Sequence, residues 1–189
     1  GVTRRGYPTQ DGTRAAEVIL DDVRATTLLG EPDTALPLIE RVTDEAIAAL
    51  CAEAVGVMET LRDLTVEYLK QRQQFGQPLA GFQALQHRAA DMLVATEQAR
   101  SMAYYAAMMV THPDAGTRRT ALSAAKALVG RLADSVGKEA IQLHGGIGVT
   151  EEYKAGHYFK RLTVIAGLFG DVDHHLRQVV AAGGLPDVA

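Results

Sequence analysis

The sequence has no tryptophan, a single cysteine, few aromatic residues and no long apolar run. Aromatic residues make up 5% of the 189 residues. The lone Cys51 excludes a disulfide framework and a cysteine-rich metal site, and it is typical of a cytosolic protein. No stretch approaches the roughly 18 apolar residues of a membrane span, and the N-terminus "GVTRRGYPTQDG" has no apolar signal core. We therefore expect a cytoplasmic protein without a membrane span.

Excess charge of either sign is also missing. The net charge is −4 and charged residues make up 22% of the chain, so no field suited to nucleic acid is present. Apolar residues nevertheless reach 47%. With so few aromatics, the core must consist largely of Ala, Leu and Val, which favours closely packed helices.

The first 35 residues differ in pattern from the rest. "AAEVILDDVRA" alternates with a period near two, and Asp11-Gly12 is a tight-turn signal. This segment predicts two or three strands, too few to bury a sheet face alone, so residues 1–35 are expected to be the last strands of a larger β-domain.

Helical spacing dominates residues 36–189, with breakers at "QFGQPLAG", "THPDAG" and "HGGIGVT". Long helices with short connections predict a mainly α fold, an antiparallel four-helix bundle. The predicted helices are Leu36–Arg72, Phe82–Val110, Thr117–Leu143, a short one over 151–161, and Asp171 to about Ala181.

Three motifs have chemical potential, and each has a plainer structural alternative. "RQQFGQPLAGFQALQ" either grips an anionic planar ligand or is a loop anchored by Phe75 and Phe82. "QLHGGIGVTEEY" offers glycine amides ahead of a helix start at Thr150, as in phosphate cradles, or is only a turn. Glu53, inside an apolar helical stretch, is either paired with an arginine or is a buried general base.

The stretch "DVDHH" resembles a metal-binding sequence. Chelation from one helix face needs ligands four residues apart, and only Asp171 and His175 meet that spacing. His174 points about 100° away from His175 around the helix. We therefore assign no metal site.

Taken together in this order, "RQQFGQPLAGFQALQHRAADM", "QLHGGIGVTEEY" and a glycine turn entering a last helix resemble the C-terminal half of the acyl-CoA dehydrogenases. The resemblance implies FAD-dependent α,β-dehydrogenation of an acyl-CoA thioester, with a chain about half the usual family length. It implies that Arg72, which faces the diphosphate, and Gln74 and Phe75 contact FAD. By the same resemblance the other FAD-binding positions are Gln83 near the adenine, Gln142, Gly145 and Gly146 in a neighbouring subunit's site, and Asp171.

The resemblance also identifies where a catalytic base is expected. In most of the family a glutamate followed by Gly-Thr stands at the turn entering the last helix, and here that position is Phe169. A second branch of the family carries the base on the first long helix, at the position of Ala46. Neither residue titrates. Glu45 and Glu53 are nearby carboxylates, but neither lies where the family needs it.

The sequence therefore predicts part of an acyl-CoA dehydrogenase that supplies FAD-binding and oligomer contacts but lacks a base and is inactive alone. Such chains resemble the base-lacking subunit of actinobacterial heteromeric enzymes. Expected partners are an acyl-CoA, acyl-CoA dehydrogenase subunits in a homo- or hetero-tetramer packed through the small-residue face "ALSAAKALVGRLA", and electron-transfer flavoprotein. The alternatives are a non-enzymatic helical assembly module, or an active homo-oligomer using Glu53 or Glu45.

Overall fold

The computed structural model describes residues 1–185. A β-hairpin, β1 (Val2–Pro8) and β2 (Arg14–Leu20), precedes the helices α1 (Ala35–Gln71), α2 (Gln83–Met109), α3 (Ala115–His144), α4 (Lys154–Gly167) and α5 (Val172–Ala181). The strands β3 (Gln73–Gln74) and β4 (Gln77–Pro78) form a small ladder between α1 and α2. Within the described part of the chain, no helix is long and apolar enough to cross a bilayer. The last helix, predicted from Asp171 to about Ala181, is confirmed as α5. Residues 186–189 lie outside the described residues.

The hairpin confirms the strand prediction. β1 and β2 pair antiparallel, with Val2 opposite Leu20, and Gly12 takes a positive φ of 83° at the predicted turn. Nearly every hairpin residue is exposed on both faces of the ladder. A two-stranded ladder with no buried face is marginal in water, so its attachment to the helices matters for its stability.

The helical part confirms the antiparallel bundle, with α3 at its centre. Helices α1, α2, α4 and α5 all pack against α3. Its small residues allow this: a Cβ on Gly137 would lie 2.8 Å from Phe159, and Ala121 and Ala125 are fully buried. The small-residue face of α3 was expected to contact another subunit. It is instead buried within this chain, because α3 packs against four other helices.

Predicted boundaries hold to within a few residues, except at the fourth helix. Asp114 caps α3 by accepting a hydrogen bond from the amide of Thr117 (2.8 Å), so α3 begins before Thr117. Helix α4 begins at Lys154, three residues later than predicted, and continues to Gly167, six residues beyond the predicted end. Cys51 is fully buried, as expected, and burial raises the pKa of its thiol to about 11.

Candidate functional site

The loop after α1 displays an aromatic ring to solvent. Phe75 and Gly76 connect β3 to β4 with φ of 55° and 81°, the positive pair of a tight hairpin turn. A positive φ is uncommon for a bulky residue and indicates local strain. Phe75 is 89% exposed, and its ring meets Phe82 edge to face at 6.1 Å. The backbone thus holds a large apolar side chain where it contacts little of its own chain.

Arg72 lies at the base of this loop. Its amide donates to the carbonyl of Tyr68 (2.8 Å), and its carbonyl accepts from the amide of Leu79 (2.8 Å), so the backbone is held at both sides. The Arg72 side chain is exposed and has no ion pair with residues 1–185. Gln74 and Gln83 are exposed beside it. The phenylalanine anchoring proposed from sequence applies to Phe82 more than to Phe75.

The glycine loop after α3 differs from the expected phosphate cradle. Residues 145–149 form a 3-10 helix, and α4 begins only at Lys154, so Thr150 does not start a helix. Gly148 is buried against the carbonyl of Ile141, where a Cβ would lie at 3.1 Å. At Gly145 and Gly146 a Cβ would meet no atom within 4 Å, which leaves their backbone open to a ligand. Gln142, one turn earlier, is exposed.

A buried histidine, not anticipated from sequence, ties the two loops together. His144 directly precedes Gly145, and its ring lies 4.6 Å from that of Tyr68, one turn before Arg72. The Tyr153 ring lies 5.0 Å away on another side. Nδ1 of His144 donates to the carbonyl of Ala140 (2.8 Å), and burial lowers the pKa of the imidazole. The structure therefore brings the Arg72 loop and the Gly145–Gly146 loop to one end of the bundle.

The turn between α4 and α5 is closely packed at Gly170. Phe169 and Gly170 both have positive φ, 56° and 111°, and a Cβ on Gly170 would lie 2.4 Å from His174. Lys126, 2% exposed, donates from Nζ to the carbonyls of Ala166 (3.0 Å) and Gly170 (3.2 Å). A buried ammonium thus fastens the turn, a role that the sequence pattern did not reveal.

The side chains of "DVDHH" have separate partners. Asp171 caps α5, since its carboxylate accepts from the amide of His174 (2.8 Å). His175 is buried, with Nδ1 3.2 Å from the hydroxyl of Ser123. Burial, assisted by the charge of Lys126, lowers the pKa of His175 to about 4. Asp171 is therefore engaged with backbone and His175 with α3.

Phe169 borders a cavity of about 220 Å³ between α1, α3 and α5. Apolar walls come from Ile39 and Ile47, and polar ones from Thr43 and Ser123. Phe169 is 50% exposed and offers no acid at this place. Asp44, which also lines the cavity, is committed to Arg118 through a buried ion pair at 2.7 Å. That pair joins positions 74 residues apart, so periodicity alone did not indicate it.

Both carboxylates considered as alternative bases are held by arginines. Glu45 is exposed and pairs with Arg41 one helical turn away (2.8 Å). Glu53 receives two hydrogen bonds from Arg161, at 2.6 and 2.8 Å. The arginine partner expected for Glu53 is confirmed, but burial is not, because its side chain is 42% exposed. Ala46, which follows Glu45 directly in the sequence, is half-buried.

Comparison with known proteins finds acyl-CoA dehydrogenases, in agreement with the resemblance seen in the sequence. The profile described as "Acyl-CoA dehydrogenase, C-terminal domain" matches residues 37–184. The acyl-CoA dehydrogenase FadE34 of Mycobacterium tuberculosis is 38% identical over 180 residues, covering 89% of this chain and 25% of that protein. The acyl-CoA dehydrogenase IpdE2 of Mycolicibacterium smegmatis is 35% identical over 180 residues, covering 95% of this chain and 52% of that protein.

Solved structures agree with the sequence relatives. A variant of the Tcur3481–Tcur3483 steroid ACAD superposes with a TM-score of 0.83 at 31% identity, over 96% of this chain and 48% of that one. Butyryl-CoA dehydrogenase from Megasphaera elsdenii gives 0.84 at 28% identity, over 96% and 48%. The chain thus spans about a quarter to a half of the length of these relatives. From its helical bundle, its two loops and these matches, the chain belongs to the acyl-CoA dehydrogenase family.

Proposed function

We propose that this chain forms part of an FAD-dependent acyl-CoA dehydrogenase, to which it contributes cofactor and subunit contacts but no catalytic base. The observation that carries the proposal is the chemistry of the two base positions. Phe169 and Ala46 cannot accept a proton, and the neighbouring Glu45 and Glu53 are each engaged by an arginine. Removing the α-proton of a thioester requires a carboxylate within hydrogen-bond reach, so a partner subunit must supply it.

The Arg72 loop and the Gly145–Gly146 loop lie at one end of the bundle, which we call the loop end, and their residues fit a flavin dinucleotide. The Arg72 guanidinium, which has no ion pair with residues 1–185, matches the bidentate geometry of a diphosphate. Phe75 offers an exposed ring, and Gly145 and Gly146 leave backbone open to close approach. Gln74 and Gln83 add amide groups, and Gln142, Gly145 and Gly146 are proposed to reach the FAD of a neighbouring subunit. Asp171, the remaining proposed contact, caps α5 beside the Phe169 turn, at the other end of the bundle. When bound, FAD would accept the β-hydrogen of the substrate as hydride.

Partners follow from the same proposal. Leu36, Leu38, Ile39 and Val42 expose apolar surface on the first turns of α1, which suits contact with further dehydrogenase subunits in a homo- or hetero-tetramer. A relative named as a subunit of a caffeyl-CoA reductase-Etf complex in Acetobacterium woodii is 27% identical. We therefore propose electron-transfer flavoprotein as acceptor and an acyl-CoA as substrate, with the cytoplasm as location.

Flavin stoichiometry and turnover of the purified assembly test the proposal. Arg72→Met should release flavin on gel filtration, because a charge-assisted pair contributes about 1.5–3 kcal/mol. The control is Arg88→Met, which removes a surface guanidinium that pairs with Glu139. Full flavin content in Arg72→Met would contradict the cofactor assignment and favour the assembly-module alternative.

The second measurement concerns the base. Glu45→Gln and Glu53→Gln should leave turnover within a few-fold, whereas replacing the partner's glutamate should abolish it. A loss of roughly 10²–10⁴ in either Gln variant, at unchanged melting temperature, is the signature of a missing general base. That result would replace the proposal with an active homo-oligomer.

A further inference from the structure

The hairpin touches the bundle mainly through its turn. Among residues 1–20, only Thr9, Asp11 and Ala15 are partly buried, and the rest are exposed. The Asp11 side chain is 1% exposed, although the strands on either side of it face solvent. The contact is therefore concentrated on one carboxylate.

The two oxygens of that carboxylate have different roles. Oδ1 accepts hydrogen bonds from the hydroxyl of Thr9 (2.5 Å), and from the amide (3.2 Å) and hydroxyl (2.9 Å) of Thr13, which shapes the turn. Oδ2 accepts from Nη1 of Arg161 on α4 at 2.7 Å. These hydrogen bonds, from Thr9 most strongly, hold the pKa of Asp11 well below its usual range. Asp11 is thus ionised and aimed at the bundle.

Arg161 is oriented for this contact by α1. Its Nε and Nη2 are occupied by the two oxygens of Glu53 at 2.6 and 2.8 Å. The planar guanidinium then directs Nη1 away from Glu53 and towards the hairpin. A lysine has no such fork and cannot serve both carboxylates in this geometry.

We infer that Glu53 and Arg161 form a docking site on the bundle for the acidic hairpin turn, and that Arg161 holds the β-segment against the helices. Glu53 is a positioning residue for Arg161. The site is electrostatic, with the Arg161 side chain 26% and the Glu53 side chain 42% exposed, so high salt weakens it, though less than it would weaken a fully exposed pair. It fits a hydrogen-bonded acidic turn with an ionised carboxylate at its tip, and its role does not depend on flavin binding.

Hydrogen–deuterium exchange on the full chain tests the docking. Arg161→Met should accelerate exchange of the β1–β2 ladder amides at least tenfold, because Asp11 loses the partner that anchors the turn. Arg161→Lys should give an intermediate rate. In the wild type, raising NaCl from about 0.05 to 1 M should accelerate the same amides, since the Debye length falls to about 3 Å, and Arg161→Met should show little further change.

Two controls separate docking from a general loss of stability. Amides in the centre of α3 should exchange at wild-type rates in Arg161→Met, which shows that the bundle remains folded. Arg88→Met removes a comparable surface guanidinium between α2 and α3 and should leave the hairpin unchanged. Unchanged ladder exchange in Arg161→Met, or equal acceleration in Arg88→Met, would overturn the inference.

Discussion

The two ends of the bundle differ in the exposure and pairing of their side chains. At the loop end, Arg72, Phe75 and Gln142 are exposed and make few contacts with the chain itself. At the pocket end, formed by the start of α1 and the turn at Phe169, polar groups are buried and paired with each other: Asp44 with Arg118, and Lys126 with backbone carbonyls. About 40 Å of α1 separates the two.

The difference indicates that the loop end is suited to binding a ligand, whereas the polar groups of the pocket end stabilise the fold. Exposed groups without partners cost little to present and remain free for a ligand, whereas buried charges are tolerated only when neighbours satisfy them. The polar groups of the pocket end are therefore already paired within the chain, whereas those of the loop end are exposed. Substitutions at the pocket end should change stability, and those at the loop end should change ligand binding.

The largest expected effect is on the buried ion pair. Arg118→Met leaves the Asp44 carboxylate without its partner at 3% exposure, and removing one partner of such a pair costs about 3–5 kcal/mol. Chemical denaturation should register this loss. The double variant Asp44→Leu, Arg118→Met should recover most of it, because no lone charge remains. A single variant as stable as the wild type would show that the pocket end is not held by this pair.

A smaller effect concerns His175 and pH. An unfolded histidine takes up a proton below about pH 6.5, whereas folded His175, with its pKa lowered to about 4, stays neutral until more acidic pH. Between these values the unfolded state binds more protons, so the free energy of unfolding falls as pH decreases. This contribution amounts to about 2–3 kcal/mol from pH 7.5 to pH 4.

Comparing the wild type with His175→Gln isolates that contribution. Urea denaturation at several pH values should give a shallower pH dependence in the variant, whatever its absolute stability. Parallel curves for the two proteins would mean that His175 titrates normally and that the pocket end is more hydrated than its burial indicates.

The smallest stability effect is expected at the loop end. Phe75→Asn should change the free energy of unfolding by no more than about 0.5 kcal/mol, since the ring is exposed and asparagine tolerates a positive φ. Flavin retention by the assembly should nevertheless fall about tenfold or more. Thermal denaturation and flavin absorbance after gel filtration measure the two quantities. A clear loss of stability with normal flavin content would reverse the comparison between the ends.

Local patterns along the chain were sufficient for the helices, the hairpin and the family. Helical spacing, helix breakers and the Asp11-Gly12 turn each depend on a few neighbouring residues, so the sequence alone reveals them. "RQQFG" and "QLHGG" are likewise short contiguous motifs that the sequence identifies, although their role in flavin binding stays a prediction. For Glu53 the sequence offered an arginine pair or a buried general base, and the structure decided for the pair and identified the partner as Arg161.

Only the tertiary structure decided which distant residues meet. Asp44 and Arg118, Lys126 and the Phe169 turn, Tyr68 and His144, and the Asp11–Arg161–Glu53 contact each join elements far apart in sequence. The placement of α3 at the centre also turned its small-residue face inward, against the expectation of a subunit contact. The physical reason is the same in each case. A side chain's partner is set by the packing of whole helices, whereas sequence periodicity reports only which face of its own helix a residue occupies.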